Sequence, residues 1–460
     1  MTESRLQRIR AWLAAPEDAA ALAVFRVVLG LLVSVSAVRF LAYGWVEQLF
    51  DTRVQLHYWG FEWVPYPGLE GVRLLFMALV VLGLLVALGL FYRVAIVALF
   101  VAFTWLQLID VSTYLNHYYL VSLLLLLCSF LPLNALWSVD ARLFPSVRSA
   151  TLPRWCTALL RFQVGVVYFF AGLAKLNGDW LVHAAPLHLW LPARTSLPLV
   201  GAWLDRPELA LFMSWAGFLF DLTVPFFLLA RRTRPFAYAV VIVFHTATRL
   251  LFPIGMFPFI MTLSALVFFS PSWPRKWLRL AAPVLTPTGG PRLVPRPLVA
   301  VLALWAVVQL ALPLRAHLYG GDVSWHEQGM RFSWRVMTRE KNGSVTYVVT
   351  NPRTGREWHV VPHDYLTRVQ ERELAVQPDL IWQLGQRIGA EWNRNGLGPV
   401  EVRADTLVSL NGRRAVPLVD PTVDLMTLDD GLAAKAWVRP PMEGPPLSAL
   451  HQALSRADVR

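Results

Sequence analysis

The chain has 460 residues, of which 56% are hydrophobic and 16% charged, and its mean hydropathy is +0.48. Soluble domains are about a quarter charged, so an ordinary soluble enzyme is excluded, and the apolar content is far too high for a disordered chain. The net charge of +12 could suggest nucleic acid. In a membrane chain, however, basic residues collect in cytoplasmic loops and face anionic lipid, which leaves nucleic acid as the weakest partner.

A helix needs about 20 residues to cross the hydrocarbon core. Nine runs are predicted to do so, at roughly 20–43, 72–92, 94–110, 118–137, 157–176, 208–230, 234–252, 254–270 and 297–314. The polar stretch before the first run is not a cleavable signal peptide of the usual form. With the N-terminus and its Arg5, Arg8 and Arg10 in the cytoplasm, the inner loops also carry Arg93, Arg142, Arg148, Arg154, Arg231, Arg232, Arg234, Arg275, Lys276, Arg279, Arg292 and Arg296. The outer loops carry only Arg53, Arg194, Arg206 and Arg249. This charge bias fixes the orientation and, with an odd number of spans, puts the C-terminal part outside. Cys128 and Cys156 lie in or beside apolar runs, so no disulfide framework is implied.

Beyond Gly320 the pattern changes. Val345–Thr350 and Glu357–Val361 read as strands around the turn Asn351-Pro352-Arg353-Thr354-Gly355. Pro378–Trp392 has helical spacing, and Val400–Leu410 and Ala415–Val419 flank the hairpin signal Asn411-Gly412. The expected fold class is an α-helical multi-pass membrane protein with a C-terminal extracytoplasmic α+β domain. Its expected parts are an N-terminal segment at 1–19, a transmembrane domain at 20–317, the outer domain at 318–440 and a weakly ordered tail at 441–460.

Ionisable groups in spans are costly, and each prompts a functional hypothesis. Asn116 and His117 open the fourth run, Lys175 closes the fifth, His245 lies in the outer half of the seventh, and the turn Pro253–Phe257 follows it. All reach one level near the outer face. Singly, each has a plainer reading: Lys175 snorkels, His245 packs with a hydrogen bond, and Asn116 caps a helix. Asp221, deeper in the sixth run, is expected to pair with an internal donor. Composition and spacing stop at a polar site beneath the outer face. No H-E-x-x-H metal spacing, Walker pattern or G-x-S-x-G elbow occurs.

Several segments resemble the vitamin K-dependent gamma-glutamyl carboxylases and their bacterial relatives, which share the HTTM domain. They are Phe91-Tyr92-Arg93, Leu115-Asn116-His117-Tyr118-Tyr119, Trp137-Ser138-Val139-Asp140, Tyr168-Phe169-Phe170-Ala171-Gly172-Leu173-Ala174-Lys175-Leu176-Asn177-Gly178-Asp179-Trp180, Ile254-Gly255-Met256-Phe257, Ser270-Pro271-Ser272-Trp273 and Gly329-Met330-Arg331-Phe332-Ser333-Trp334-Arg335-Val336-Met337. The resemblance implies that Lys175 is the base that deprotonates reduced vitamin K (menaquinol or phylloquinol) and that His117 supports the chemistry. Asn116, His117, His245 and Met256 would contact the cofactor, and Trp334, Arg339 and Lys341 the glutamate-containing protein or peptide substrate.

The implied reaction uses O2 and CO2 and no metal. Oxygenation of the hydroquinone generates a strong base, a glutamate γ-proton is removed, and CO2 is captured, leaving γ-carboxyglutamate and the quinone epoxide. A lysine can act as a base near neutral pH only where burial disfavours its charged form, and a span end beneath a folded domain supplies that burial.

The chain departs from the vertebrate pattern in four ways. Ala174-Lys175 stands where those enzymes have two lysines. Arg339 and Lys341 stand near a His and an Arg. The family's structural disulfide cannot form, and the chain is shorter, so a propeptide-recognition surface is reduced or absent. The last two features favour a bacterial plasma membrane. Two rival readings are a quinol-epoxidising oxidase without peptide carboxylation and a non-enzymatic HTTM membrane protein.

Overall fold

The computed structural model describes residues 4–281, 283, 293–429 and 431–446. Arg292 and the last part of the expected tail lie outside the described residues. An amphipathic helix α1 (Arg5–Ala14) begins at Ser4, whose hydroxyl accepts from the Gln7 amide in a capping box. A short strand β1 (Pro16–Asp18) leads into α2 (Ala20–Ala42), followed by α3 (Gly68–Leu88), α4 (Tyr92–Ile109) and α5 (Asn116–Phe130). Strand β2 (Thr151–Pro153) pairs antiparallel with β1 and runs directly into α6 (Arg154–Leu173). Then come α7 (Pro207–Leu229), α8 (Arg234–Leu251), α9 (Phe257–Ser264) and α10 (Arg296–Leu314).

Each of the nine predicted runs contains a helix, but the count of nine full spans does not hold. Among the described residues six helices are long and apolar enough to cross a membrane: α2, α3, α4, α6, α7 and the stretch Arg296–Tyr319 that contains α10. Helix α5 has 15 residues, and α9 continues only as a short 3-10 turn to Phe268. Helix α8 has 18 residues but carries Arg234, His245 and Arg249. A helix covered by protein need be neither full-length nor uniformly apolar.

Two close helix contacts depend on glycine. At Gly30 of α2 and Gly83 of α3 a side chain would run into the facing backbone, so the two helices touch main chain to main chain. At Gly172 of α6 a Cβ would lie 2.5 Å from the Leu222 amide nitrogen and 2.6 Å from its Cα on α7. Other signature residues hold the opposite end of the bundle together. Asp140 accepts from the Phe91 and Tyr92 amides at 2.8 and 3.0 Å and from Asn134 Nδ2 at 2.8 Å, capping α4, while buried Arg26 donates to the Trp137 carbonyl at 2.7 Å.

The C-terminal part forms a three-stranded antiparallel sheet in the order β4-β3-β5, from β3 (Lys341–Thr350), β4 (Glu357–Val360) and β5 (Glu401–Leu410). Tyr347 lies opposite Val360 on one side and Ala404 on the other. Between β4 and β5 run helices α11 (Arg368–Leu374) and α12 (Pro378–Arg394). Helix α12 buries Leu380, Ile381, Leu384 and Ile388 in the domain core, as its spacing predicts. The predicted strand at Ala415–Val419 is reduced to isolated bridges, Val408 to Val416 and Val419 to Val438. Pro417 cannot donate to a ladder there.

The first outer loop is built into this domain. Val54, Leu56 and Tyr58 join its core, Gln383 bonds both the amide and the carbonyl of His57 at 2.9 Å, and Gln370 Nε2 donates to the Val54 carbonyl at 2.8 Å. The two halves of the chain therefore share a core.

Overpacking at a close helix crossing costs about 1–3 kcal/mol. Gly172→Ala is expected to lower the melting temperature of the purified protein, whereas Gly178→Ala, with nothing within 4 Å of the new methyl, leaves it unchanged. Differential scanning fluorimetry of the two variants checks this.

Candidate active site

Helix α6 places Tyr168 and Ala171 on one face, at i and i+3, and Lys175 follows in the turn just past the end of the helix, where its amide donates to the Gly172 carbonyl at 2.9 Å. The close approach at Gly172 brings α7 alongside, and Asp221 reaches the same place. Lys175 Nζ donates to Asp221 Oδ2 at 2.8 Å, to the Ala171 carbonyl at 3.1 Å and to the Val336 carbonyl at 3.3 Å. Both side chains of the pair are nearly buried, 5% and 10% exposed. The Trp180 ring lies 5.2 Å from Nζ, a favourable position for a cation. Asp221 was expected to find an internal donor, and that donor is Lys175.

Lys175, Asp221 and His245 line one tight cavity of about 80 Å3, whose remaining wall includes Tyr168, Phe257, Met213 and Met337. His245 Nε2 is 2.9 Å from the Tyr168 hydroxyl. His245 Nδ1 is buried with no hydrogen-bond partner among the described residues. A buried polar atom left so is costly, and here it belongs to a residue that lines the cavity. His117 is buried just behind the wall: the Phe257 ring lies 5.9 Å from it and 5.8 Å from His245. Met256 packs in the membrane-domain core beside Phe257. Among the described residues no group of three His, Cys, Asp or Glu side chains could hold a metal ion.

The roof comes from the chain between α10 and β3. The Tyr114 hydroxyl accepts from the Phe332 amide at 2.8 Å and donates to Asn116 Oδ1 at 3.1 Å, and Asn116 Nδ2 donates to the Arg335 carbonyl at 3.3 Å. Trp334, 1% exposed, stacks on Tyr119 with centroids 4.7 Å apart. Asn116 and Lys175 thus bind consecutive carbonyls of one segment. A second tie runs from the segment after Lys175 to the outer hairpin. Asp179 accepts from Arg413 at 2.6 and 2.7 Å and from Asn411 at 2.7 Å. Burial works to raise the Asp179 carboxyl, but the Arg413 and Asn411 donors outweigh it and hold it below its usual range.

Arg339 and Lys341 lie elsewhere. Arg339 pairs with Glu327 at 2.7 Å, and Lys341 Nζ donates to the Trp325 carbonyl at 2.5 Å, the Val376 carbonyl at 2.6 Å and Glu327 at 3.1 Å. The Lys341 side chain is 0% exposed. Both cations serve the packing of the outer domain at this point and do not line the cavity. Tyr168 and the Phe257 partition were not singled out from sequence. The i, i+7 spacing of Tyr168 and Lys175 was the available signal for the first.

A helical bundle of membrane-spanning length, with a buried lysine–carboxylate pair roofed by a small α+β domain, defines a polytopic membrane protein with an extracytoplasmic domain. Residues 14–273 match the HTTM domain, and residues 295–443 match the lumenal domain of vitamin K-dependent gamma-carboxylase. The chain belongs to the HTTM family and is a homologue of the gamma-glutamyl carboxylases. The second match takes in α10 as well as the outer sheet. No solved structure matches the chain.

Burial lowers the Lys341 ammonium from 10.5 to about 8, although Glu327 works against the shift. The unfolded chain therefore holds this proton more tightly than the folded one, so the Lys341 contribution to stability rises as pH climbs from about 8 to 10.5. Melting curves of the wild type should show this upward trend relative to Lys341→Met. An identical slope in the variant would contradict the assignment.

Proposed function

We propose that the chain is a membrane-embedded gamma-glutamyl carboxylase. In the overall reaction, glutamate, CO2, O2 and reduced vitamin K give γ-carboxyglutamate, the quinone epoxide and water. The observation that carries this reading is the buried Lys175–Asp221 pair, 2.8 Å apart on a cavity, with its lysine in the family's A-G-x-x-K-L stretch. A further proposal, supported by the loop arginines, is that the N-terminus is cytoplasmic and the outer domain faces the other side of a bacterial inner membrane.

The residues present fit a reduced quinone by their chemistry. The walls are apolar and aromatic, and His245 Nδ1 is an unused polar atom. The cavity is tight, and the unbranched Met213, Met261 and Met337 in its wall are well suited to adjust to a two-ring head. When bound, the hydroquinone supplies a weakly acidic hydroxyl and an oxygen-reactive ring.

The chain's part is to take and hold a proton. A lysine ammonium has three N–H groups, and Lys175 has three acceptors in Ala171, Asp221 and Val336. It can accept a proton only after passing one to Asp221, so the pair is the accepting unit. Tyr168 fixes which nitrogen of His245 is spoken for, leaving Nδ1 to orient a ligand oxygen. The buried setting excludes water, as a strongly basic intermediate requires.

Purified protein supplied with vitamin K hydroquinone, a glutamate peptide and labelled bicarbonate is expected to incorporate label and form epoxide. Lys175→Ala should slow both by about 10⁴-fold, and Asp221→Asn by about 10²-fold or more. Full activity in Lys175→Ala would contradict the proposal. The internal engagement of Arg339 and Lys341 favours a second reading, an epoxidising quinol oxidase without peptide carboxylation. Epoxide without label in any peptide would select it.

A further inference from the structure

A cleft of about 540 Å3 follows α6 from Arg154 to Phe169, starting at the end of the helix opposite Lys175. Its floor is Phe162, Gly165, Phe169, Phe226 and Phe268, contributed by α6, α7 and the turn after α9. Within a membrane-spanning bundle such a floor suits an alkyl chain.

The mouth is polar and built. Glu17 Oε1 accepts from Arg154 Nε at 2.8 Å, while Glu17 Oε2 is buried with no hydrogen-bond partner among the described residues. Both residues are fixed by backbone: Glu17 pairs with Leu152 in the β1–β2 ladder, and the Arg154 amide donates to the Ala15 carbonyl at 2.9 Å. The Arg154 guanidinium also lies 5.1 Å from the Trp12 ring of α1.

A buried carboxylate oxygen without a donor is costly, and the rigid ladder leaves Glu17 little means of escape. The ligand that completes this mouth carries an N–H donor for Glu17 Oε2 and an anion for Arg154, close together, on an alkyl tail. Arg161 also lines the cleft, its guanidinium donating to the Val267 and Phe269 carbonyls at 2.8 Å; with Arg154 it gives the cleft more positive charge than Glu17 balances, which favours an anion beside the donor. An ethanolamine phospholipid has all three parts: phosphate, ammonium and acyl chain. A choline phospholipid has the same phosphate and tail but no N–H.

We propose that this cleft binds one ethanolamine phospholipid, with its phosphate at Arg154, its ammonium at Glu17 Oε2 and an acyl chain along the aromatic floor. This goes beyond the proposed chemistry and does not depend on it.

The test is native mass spectrometry of the intact protein released from nanodiscs of mixed phosphatidylethanolamine and phosphatidylcholine. Wild-type protein is expected to retain the ethanolamine lipid with about tenfold preference, the value of one hydrogen bond to a charged group. Glu17→Gln should keep a bound lipid but lose the preference. A methyl at Gly165 would meet only Pro225 Cβ at 3.6 Å and Phe268 Cζ at 4.0 Å, so Gly165→Ala should fold and retain lipid, while Gly165→Leu fills the cleft and should release it. Equal retention of the two lipids by wild type, a preference that survives Glu17→Gln, or displacement of the lipid by an isoprenoid quinone would each overturn the proposal.

Discussion

The buried ion pair between Lys175 and Asp221 is the constraint on which the rest of the arrangement depends. Removing one partner of such a pair leaves an uncompensated charge and costs about 3–5 kcal/mol, so each side chain secures the other. The pair forms only because Gly172 lets α6 and α7 meet at backbone distance. It is satisfied only because Val336, from the far end of the chain, supplies a carbonyl. Ionisable groups within spans are retained where they do work, and this one faces a cavity.

The roof over the pair is under tension. Phe332, Trp334 and Met337 have left-handed φ values of 63°, 59° and 52°, a conformation that L side chains adopt at a cost of about 1–3 kcal/mol each. Tyr114, Asn116, Lys175 and the Tyr119 ring hold this segment in place. Four groups of the membrane domain thus impose the shape of a stretch that belongs to the outer domain. The strain and the shared core around Val54 and Tyr58 have the same consequence: the cavity is complete only when both domains are docked.

Much of this was legible in the residues. The apolar runs marked the helices, the Asn-Gly turn marked the end of β5, and loop charge together with polar residues at span ends brought Asn116, His117, Lys175 and His245 to one level. The number of full spans was not legible, because a hydropathy run does not reveal that α5 and α9 are short, or that α8 takes in Arg234 and Arg249, which were read as loop residues. Nor were long-range roles. Phe91-Tyr92 and Trp137–Asp140 stand far apart in sequence, yet Asp140 caps the helix that Tyr92 begins. Arg339 and Lys341 looked available to a substrate acid, but Glu327, invisible to local spacing, engages both.

The central claim is that Lys175 and Asp221 accept a proton as one unit. Its most direct test is a double-mutant cycle on epoxide formation under saturating reduced vitamin K, with Lys175→Ala, Asp221→Asn and the two combined. Groups that act as a unit are non-additive. The account predicts that the double variant is no slower than the slower single variant. Losses that multiply, with the double variant slower than the wild type by the product of the two single effects, would show independent roles and contradict it.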